Sequence, residues 1–328
     1  MKQRKFGDTG VDVSEVGLGC WQLGGDCWGD LNESKALEIL QASIDKGVTF
    51  LDTADVYGAG QSEEFIGKFL KNCSQELFIA TKLGRLEPPA WPEAFTKKAL
   101  TQFTDNSLKR LGMEALDLTQ LHCVPMDVMR QGAVFETLRG LKQAGKIKAF
   151  GASVESMDEA LICLEQEGLS SLQIIFNIYR QKPIDQLLSK AKEKDVAIIA
   201  RVPLASGLLT GKFKVDAEFA ENDHRKFNKD GELFNVGETF AGLPYEKGVE
   251  VSDKLKKFVP DGMTLAQMAL RWILDHDAVS VVIPGASRVE QALGNATISD
   301  LQPLGDELHE KIAEFYGREV KEFIRGLY

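Results

Sequence analysis

Along the chain, short runs of β-branched and apolar residues alternate with longer stretches whose apolar positions recur every three or four residues. The short runs predict strands over Val13–Gly19, Thr49–Asp52, Leu77–Lys82, Leu116–His122, Ile147–Ser153, Leu172–Asn177, Val196–Val202 and Val279–Pro284. The longer stretches predict helices. In Glu33–Lys46 the residues Ala36, Leu37, Ile39, Leu40 and Ile44 fall mostly on one side, and Ser62–Leu70, Ala94–Leu111, Val128–Ala144, Asp158–Gln166 and Ile184–Lys194 follow the same period. Eight strands, most followed by a helix, predict a closed parallel (β/α)8 TIM barrel rather than an open, doubly wound sheet. Three stretches depart from the alternation. Residues 4–14 predict a small hairpin before the barrel, turning at Thr9-Gly10. Residues 211–243 form a long, weakly periodic loop after the seventh strand, expected to act as a lid or to be mobile. Asp306–Arg325 predicts one extra C-terminal helix. With no linker and no other repeat, the whole of 1–328 is expected to be a single barrel domain.

Composition narrows the function classes. At 328 residues and 44% hydrophobic, the chain can bury a sizeable core without metals or disulfides. The formal net charge is −10, with acidic and basic residues interspersed, so no nucleic-acid partner is expected. The five cysteines are odd in number and include no C-x-x-C, which fits reduced thiols better than a disulfide framework. The N-terminal MKQRKFGDTG has no apolar core of a signal peptide, and no apolar run approaches ~20 residues. A cytoplasmic protein with no membrane partner, either a monomer or a small homo-oligomer, is the expectation.

Candidate chemistry lies where the strands end, since barrels of this kind build their sites there. The second strand ends at Asp52 and the following TADVYG carries Tyr57. The third ends at Lys82 and the fourth at His122. A free phenol, with a pKa of about 10, is a poor proton donor at neutral pH. An adjacent Lys82 ammonium is expected to lower the Tyr57 pKa, with Asp52 keeping the lysine charged and in place. His122 would orient a carbonyl oxygen or pass a proton. Taken singly, each has an ordinary explanation as a cap, a solvated charge or a core residue. Together they make an acid for carbonyl reduction, with hydride supplied by a nicotinamide.

The stretch FLDTADVYGAGQSEEFIGKFL closely resembles the aldo-keto reductase signature, and the order Asp52, Tyr57, Lys82, His122 resembles that family's catalytic tetrad. VSEVGLGCWQLGG, IKAFGAS, PLASGLLTGKF and VIPGASRVEQALGNA are similar to further landmarks of the family, in order along nearly the whole chain. The resemblance implies a (β/α)8 fold, NADP(H) as redox partner, aldehyde or ketone reduction with the reverse alcohol oxidation, and a site without metal.

Barrels hold phosphate with the loops after strands 7 and 8 and with a helix N-terminus. After strand 7, Val202, Pro203, Leu204, Ser206, Gly207 and Leu208 offer close backbone approach and Lys212 a charge. After strand 8, Gly285, Ser287 and Arg288 open a helix carrying Gln291 and Asn295 on one face. Arg288 or Ser287 would take the 2′-phosphate of NADP, the alternative being an N-cap and a solvated side chain. No strand-linked G-x-G-x-x-G supports a Rossmann site. By similarity, Cys20, Trp21 and Asp52 join the cofactor site, and the nicotinamide amide faces Ser153 and Gln173. The chain departs from the family pattern at Val154, where an asparagine is usual, at Arg201, where an aromatic ring is usual, and at Gly294, in place of an acidic residue.

Trp21, Trp28, Tyr57 and Trp91 are candidates for an aromatic substrate pocket suited to apolar or aromatic carbonyl compounds. Arg225 is a candidate phosphate contact. Two other readings compete. One is an NADP(H)-binding regulatory subunit of the same fold with little turnover. The other is a different barrel enzyme, a Schiff-base aldolase using Lys82 or a metal hydrolase. Only one of the four histidines stands at a strand end, too few for a metal site.

Overall fold

The computed structural model describes residues 1–25, 28, 31–89 and 93–328. The chain begins with an antiparallel hairpin, β1 (Gln3–Lys5) and β2 (Asp12–Ser14), turning through Gly7–Thr9 and Gly10. Eight parallel strands follow in chain order around one sheet: β3 (Leu18–Gly19), β4 (Phe50–Asp52), β5 (Phe78–Leu83), β6 (Leu116–His122), β7 (Ile147–Ser153), β8 (Leu169–Ile175), β9 (Ala197–Arg201) and β10 (Val279–Val282). Parallel bridges of Val16 to Val282 and Gly19 to Gly285 join last strand to first, with Gly17 N–H donating to the Val282 carbonyl at 2.8 Å. The sheet is a closed barrel, as the alternation predicts.

Two predicted strands shift. Val13–Gly19 divides, because Val13 pairs with Arg4 in the hairpin and only Leu18–Gly19 enters the barrel. The sixth barrel strand starts at Leu169 and ends at Ile175, since Leu169 and Ser171 find ladder partners in Phe150 and Gly151 that serine-rich sequence does not advertise.

Helices cover the outside: α1 (Glu33–Asp45), α2 (Gln61–Leu70), α3 (Lys97–Leu111), α4 (Met126–Gln131), α5 (Ala133–Gln143), α6 (Met157–Leu164), α7 (Lys182–Gln186) and α8 (Leu188–Glu193). The Asn32 side chain caps α1 by accepting from Lys35 N–H at 3.0 Å, and the helix buries Ala36, Ile39, Leu40 and Ile44 against the sheet. The predicted helix 128–144 is broken at Gly132, whose φ of 77° lies outside helical space. Within 211–243 the regular structure is short: α9 (His224–Phe227) and two single turns. The interval before β10 also holds α10 (Tyr245–Leu255) and α11 (Leu265–Leu274), which the hydrophobic pattern did not delimit. After α12 (Val289–Ala296), the C-terminal helix α13 (Asp306–Phe315) is shorter than predicted and gives way to a wider turn at Tyr316–Val320 and a tight one at Lys321–Phe323. Among the described residues, no helix is long and apolar enough to cross a membrane.

The barrel interior explains where the chemistry falls. Its lower part is apolar, packed with Phe6, Val13, Phe50, Phe78, Leu118, Ile199 and Val281. Phe6, from the hairpin, lies 5.4 Å from the Phe50 ring and 4.8 Å from that of Phe78, so the hairpin stoppers the base. Because side chains alternate along a strand, the phase set by this floor carries upward. Phe50 leads to Asp52, Ala80 to Lys82, Leu118 and Gln120 to His122, Ala149 to Ser153, and Ile199 to Arg201. Replacing Phe50 by Ala removes one of three mutually packed rings of the stopper, and chemical denaturation should show a loss of about 3–5 kcal/mol.

Candidate active site

Lys82 is fully buried and spends its three N–H bonds inside the barrel. Its Nζ lies 2.6 Å from Asp52 Oδ1, 2.9 Å from the Thr53 carbonyl and 3.1 Å from the Tyr57 hydroxyl. Asp52 Oδ2 accepts from Gln173 Nε2 at 2.7 Å and from Gln120 Nε2 at 3.2 Å. Both carboxylate oxygens are thus satisfied, which a buried carboxylate requires. Tyr57 is seated by two glycines: a Cβ on Gly58 would meet the Gly24 carbonyl at 2.4 Å, so only bare backbone lets the Tyr57 loop cross the turn after β3. The His122 ring stands edge-on to Tyr57 with centroids 6.0 Å apart, and its Nδ1 has no hydrogen-bond partner.

Burial pulls the Lys82 ammonium down, yet Asp52 and Tyr57 together hold it above its ordinary value, so it stays charged. The expected lowering of the Tyr57 pKa does not occur. Burial of the phenol outweighs the pull of Lys82, Asp52 and Glu238 add to it, and the net direction is upward. Burial, followed by the positive charges of Arg85, Lys82 and Arg201, pushes His122 well below its ordinary value and leaves a neutral ring.

These side chains open into a cavity of about 740 Å³. Of the predicted residues, Trp21, Asp52, Tyr57, His122, Gln173, Arg201, Val202, Pro203, Leu204, Ser206, Gly207, Lys212, Gly285, Ser287, Arg288 and Gln291 line it. Lys82 lies just behind. Ser153, adjacent to His122 in register, is fully buried with an unpartnered hydroxyl. The structure does not bring the side chains of Cys20 or Leu208 to the cavity: both are fully buried in the core between sheet and helices, the thiol facing the Leu18 carbonyl. Asn295 braces the loop instead, donating to the Gly285 carbonyl at 3.2 Å. Ser287 is not an N-cap, because Arg288 holds that position. Gln291 reaches back to accept from Ser287 N–H at 2.8 Å. Arg288 and Lys212 are exposed, and among the described residues neither makes an ion pair within 4.0 Å. After β9, Val202, Ala205 and Ser206 all have positive φ, with Gly207 at 102°, and this curl turns the backbone toward the cavity.

Trp21 and Trp28 meet edge to face at 5.5 Å, and Trp21 lies over Tyr57 at 6.0 Å, forming an aromatic wall. Trp91 lies outside the described residues. The 211–243 segment closes over the mouth with Phe213, Arg225, Leu233 and Phe234. Arg225 is paired with Asp223 at 2.5 Å and lies over the rings of Phe219 and Trp28.

A buried charge cluster escaped sequence reasoning. Glu238 lies 3.3 Å from Arg85 and 3.4 Å from Arg201, and Arg85 also reaches Glu155 at 3.5 Å. Arg201 donates to the Val154 carbonyl at 3.2 Å, while the Val154 side chain is buried in the core. Arg85 stands three residues beyond Lys82, just past the strand end that carries the lysine. Glu238 sits in the aperiodic segment and left no signal. A Cβ on Gly294 would meet open space, so no packing demands glycine there.

Barrel and site together define an oxidoreductase of the aldo/keto reductase kind. A profile of the Aldo/keto reductase family matches residues 15–316, and the chain belongs to that family. It is 31% identical to aldo-keto reductase YhdN of Bacillus subtilis over 89% of this chain and 86% of the relative. It is 29% identical to the NADP(+) aldo-keto reductase yakc of Schizosaccharomyces pombe over 88% of this chain and 83% of that one. Among solved structures, a glycerol dehydrogenase from Gluconobacter oxydans superposes with a TM-score of 0.80, at 27% identity, over 99% of this chain and 98% of the other.

Proposed function

We propose that this protein reduces aldehydes and ketones to alcohols, and runs the reverse oxidation, using NADP(H) with Tyr57 as the proton donor. The observation that carries this reading is the Lys82 ammonium, 3.1 Å from the Tyr57 hydroxyl and 2.6 Å from Asp52, at the base of the cavity. An ammonium only donates, so the phenol oxygen accepts from Lys82 and the phenol's own hydrogen is left for another acceptor. A substrate carbonyl oxygen fits that description. As charge develops on it, Tyr57 transfers its proton, and the phenolate left behind is stabilised by Lys82. Neutral His122 offers the same oxygen a hydrogen bond without adding charge. The aromatic wall of Trp21 and Trp28 favours substrates with an apolar body.

The cavity fits the cofactor on its own chemistry. Gln173 lines the cavity, and the fully buried Ser153 hydroxyl opposite it in register lacks a partner, a pair suited to an amide group. Exposed Lys212 and Arg288 suit phosphate, Arg288 at a helix start. NADP(H), when bound there, supplies or accepts the hydride. The relative from S. pombe is itself an NADP(+) enzyme by name.

Replacing Tyr57 by Phe should cut carbonyl reduction by about 10²-fold or more while NADPH binding, followed by fluorescence, persists. A mutant as active as the parent would overturn the role, and a parent that binds NADPH without turnover would make the protein a binding subunit. Because the Tyr57 pKa lies above its ordinary value and His122 stays neutral, reduction should be flat from about pH 6 to about pH 9 and fall only at higher pH, where the phenol loses its proton. Oxidation, which needs the phenolate, should rise over the same alkaline range. Replacing Arg288 by Ala should raise the Kd for NADPH by about tenfold and barely change that for NADH, which lacks the 2′-phosphate.

A further inference from the structure

We infer that Glu238 sets the relative affinity of the site for oxidised and reduced cofactor by offsetting the charge of Arg201; this rests on the cavity being the NADP(H) site. The two cofactor forms share every phosphate and differ by one hydride, so the oxidised nicotinamide ring is cationic and the reduced ring neutral. Charges near the phosphates act on both forms alike. Charges near the ring discriminate between them.

Glu238 and Arg201 line the same cavity in which the ring has to lie. A carbonyl oxygen held by Tyr57 puts the reacting carbon one bond further on, and the hydride donor must come within about 3–3.5 Å of it. The pair acts electrostatically on this same region: Arg201 contributes to the lowering of His122, and Glu238 to the raising of Tyr57. Both residues line the cavity together with Tyr57, His122 and Gln173. An unopposed guanidinium there would penalise the cationic ring.

Glu238 supplies the opposing charge at 3.4 Å, with its side chain only 7% exposed. Burial works against its ionisation, but Arg85 and Arg201 hold its pKa below the ordinary carboxylate value. Arg85 also has Glu155 at 3.5 Å, so Glu238 is not fully committed to it. The oxygen and sulfur atoms of Cys123, Glu155 and Glu238 come close enough for a metal ion, but the two guanidinium groups already occupy those carboxylates and repel a cation.

Equilibrium titration of the full chain with NADP+ and with NADPH separates this from a merely structural role. In Glu238→Gln the ratio of Kd for NADP+ to Kd for NADPH should rise by about 5- to 30-fold, the scale of a unit charge acting through a largely screened medium. Glu238→Asp, which keeps the charge, should stay near the parent ratio, and Arg201→Gln should fall below it. Looser closure of the 211–243 segment would weaken both forms equally, and an unchanged ratio in Glu238→Gln overturns the inference. Should that variant not fold, an unchanged ratio in Arg201→Gln overturns it instead. A parent that binds neither form overturns the cofactor reading itself, a result distinct from any change in ratio.

Discussion

The Lys82–Asp52 ion pair is the constraint around which the barrel is arranged. Taking two charges out of water costs several kcal/mol for each ion, and the cost is met only when every remaining hydrogen-bonding position is filled. Here the fillers come from two other strands, Gln120 and Gln173 for the carboxylate, and from the loop after β4, the Thr53 carbonyl and the Tyr57 hydroxyl for the ammonium. Each of those residues must therefore arrive at one height in the barrel. The register between strands delivers them there, with Lys82 opposite Gln120 and Ser153 opposite Gln173. Shear in the sheet would leave a buried charge without partners, so the stability of the barrel top and the geometry of the site are the same requirement.

Much of this was legible in the sequence because strands have a period of two. Once Phe50, Phe78 and Leu118 are assigned inward, Asp52, Lys82 and His122 must follow on the same face. The fold class rests on the alternation of strands with helices and the candidate residues on where the strands end; the inward phase and the family landmarks agree with both. The parts that were not legible depend on contacts far apart in sequence. The division of Val13–Gly19 follows from hairpin pairing with Arg4, which no local pattern encodes. The early start of β8 follows from its neighbours rather than from its serines. The direction of the Tyr57 shift depends on how deeply the phenol is enclosed, and a list of neighbouring charges carries no such information.

The segment after β9 shows a different economy. Its backbone adopts positive φ at Val202, Ala205, Ser206, Phe240 and Ala241, none of them glycine. Such conformations cost of order 1–3 kcal/mol each and persist only where surrounding structure insists on them. Asn177 donates to the Val202 carbonyl at 2.9 Å, and the Ser206 hydroxyl bonds to the Glu238 carbonyl at 3.2 Å. Arg325, near the C-terminus, ties Gly242 and Asp230 from outside. The segment is thus anchored to barrel and tail at several points, and groups along its whole length face the cavity.

The hairpin has one further consequence for traffic. With Phe6 packed against Phe50 and Phe78, an apolar plug of described residues fills the base of the barrel. Whatever reaches His122 comes through the cavity at the strand ends, which the aromatic wall, Lys212 and Arg288 all line. Two guests sharing one doorway cannot exchange independently: the one seated deeper is the last to leave, and its departure sets the pace at which the room can be used again.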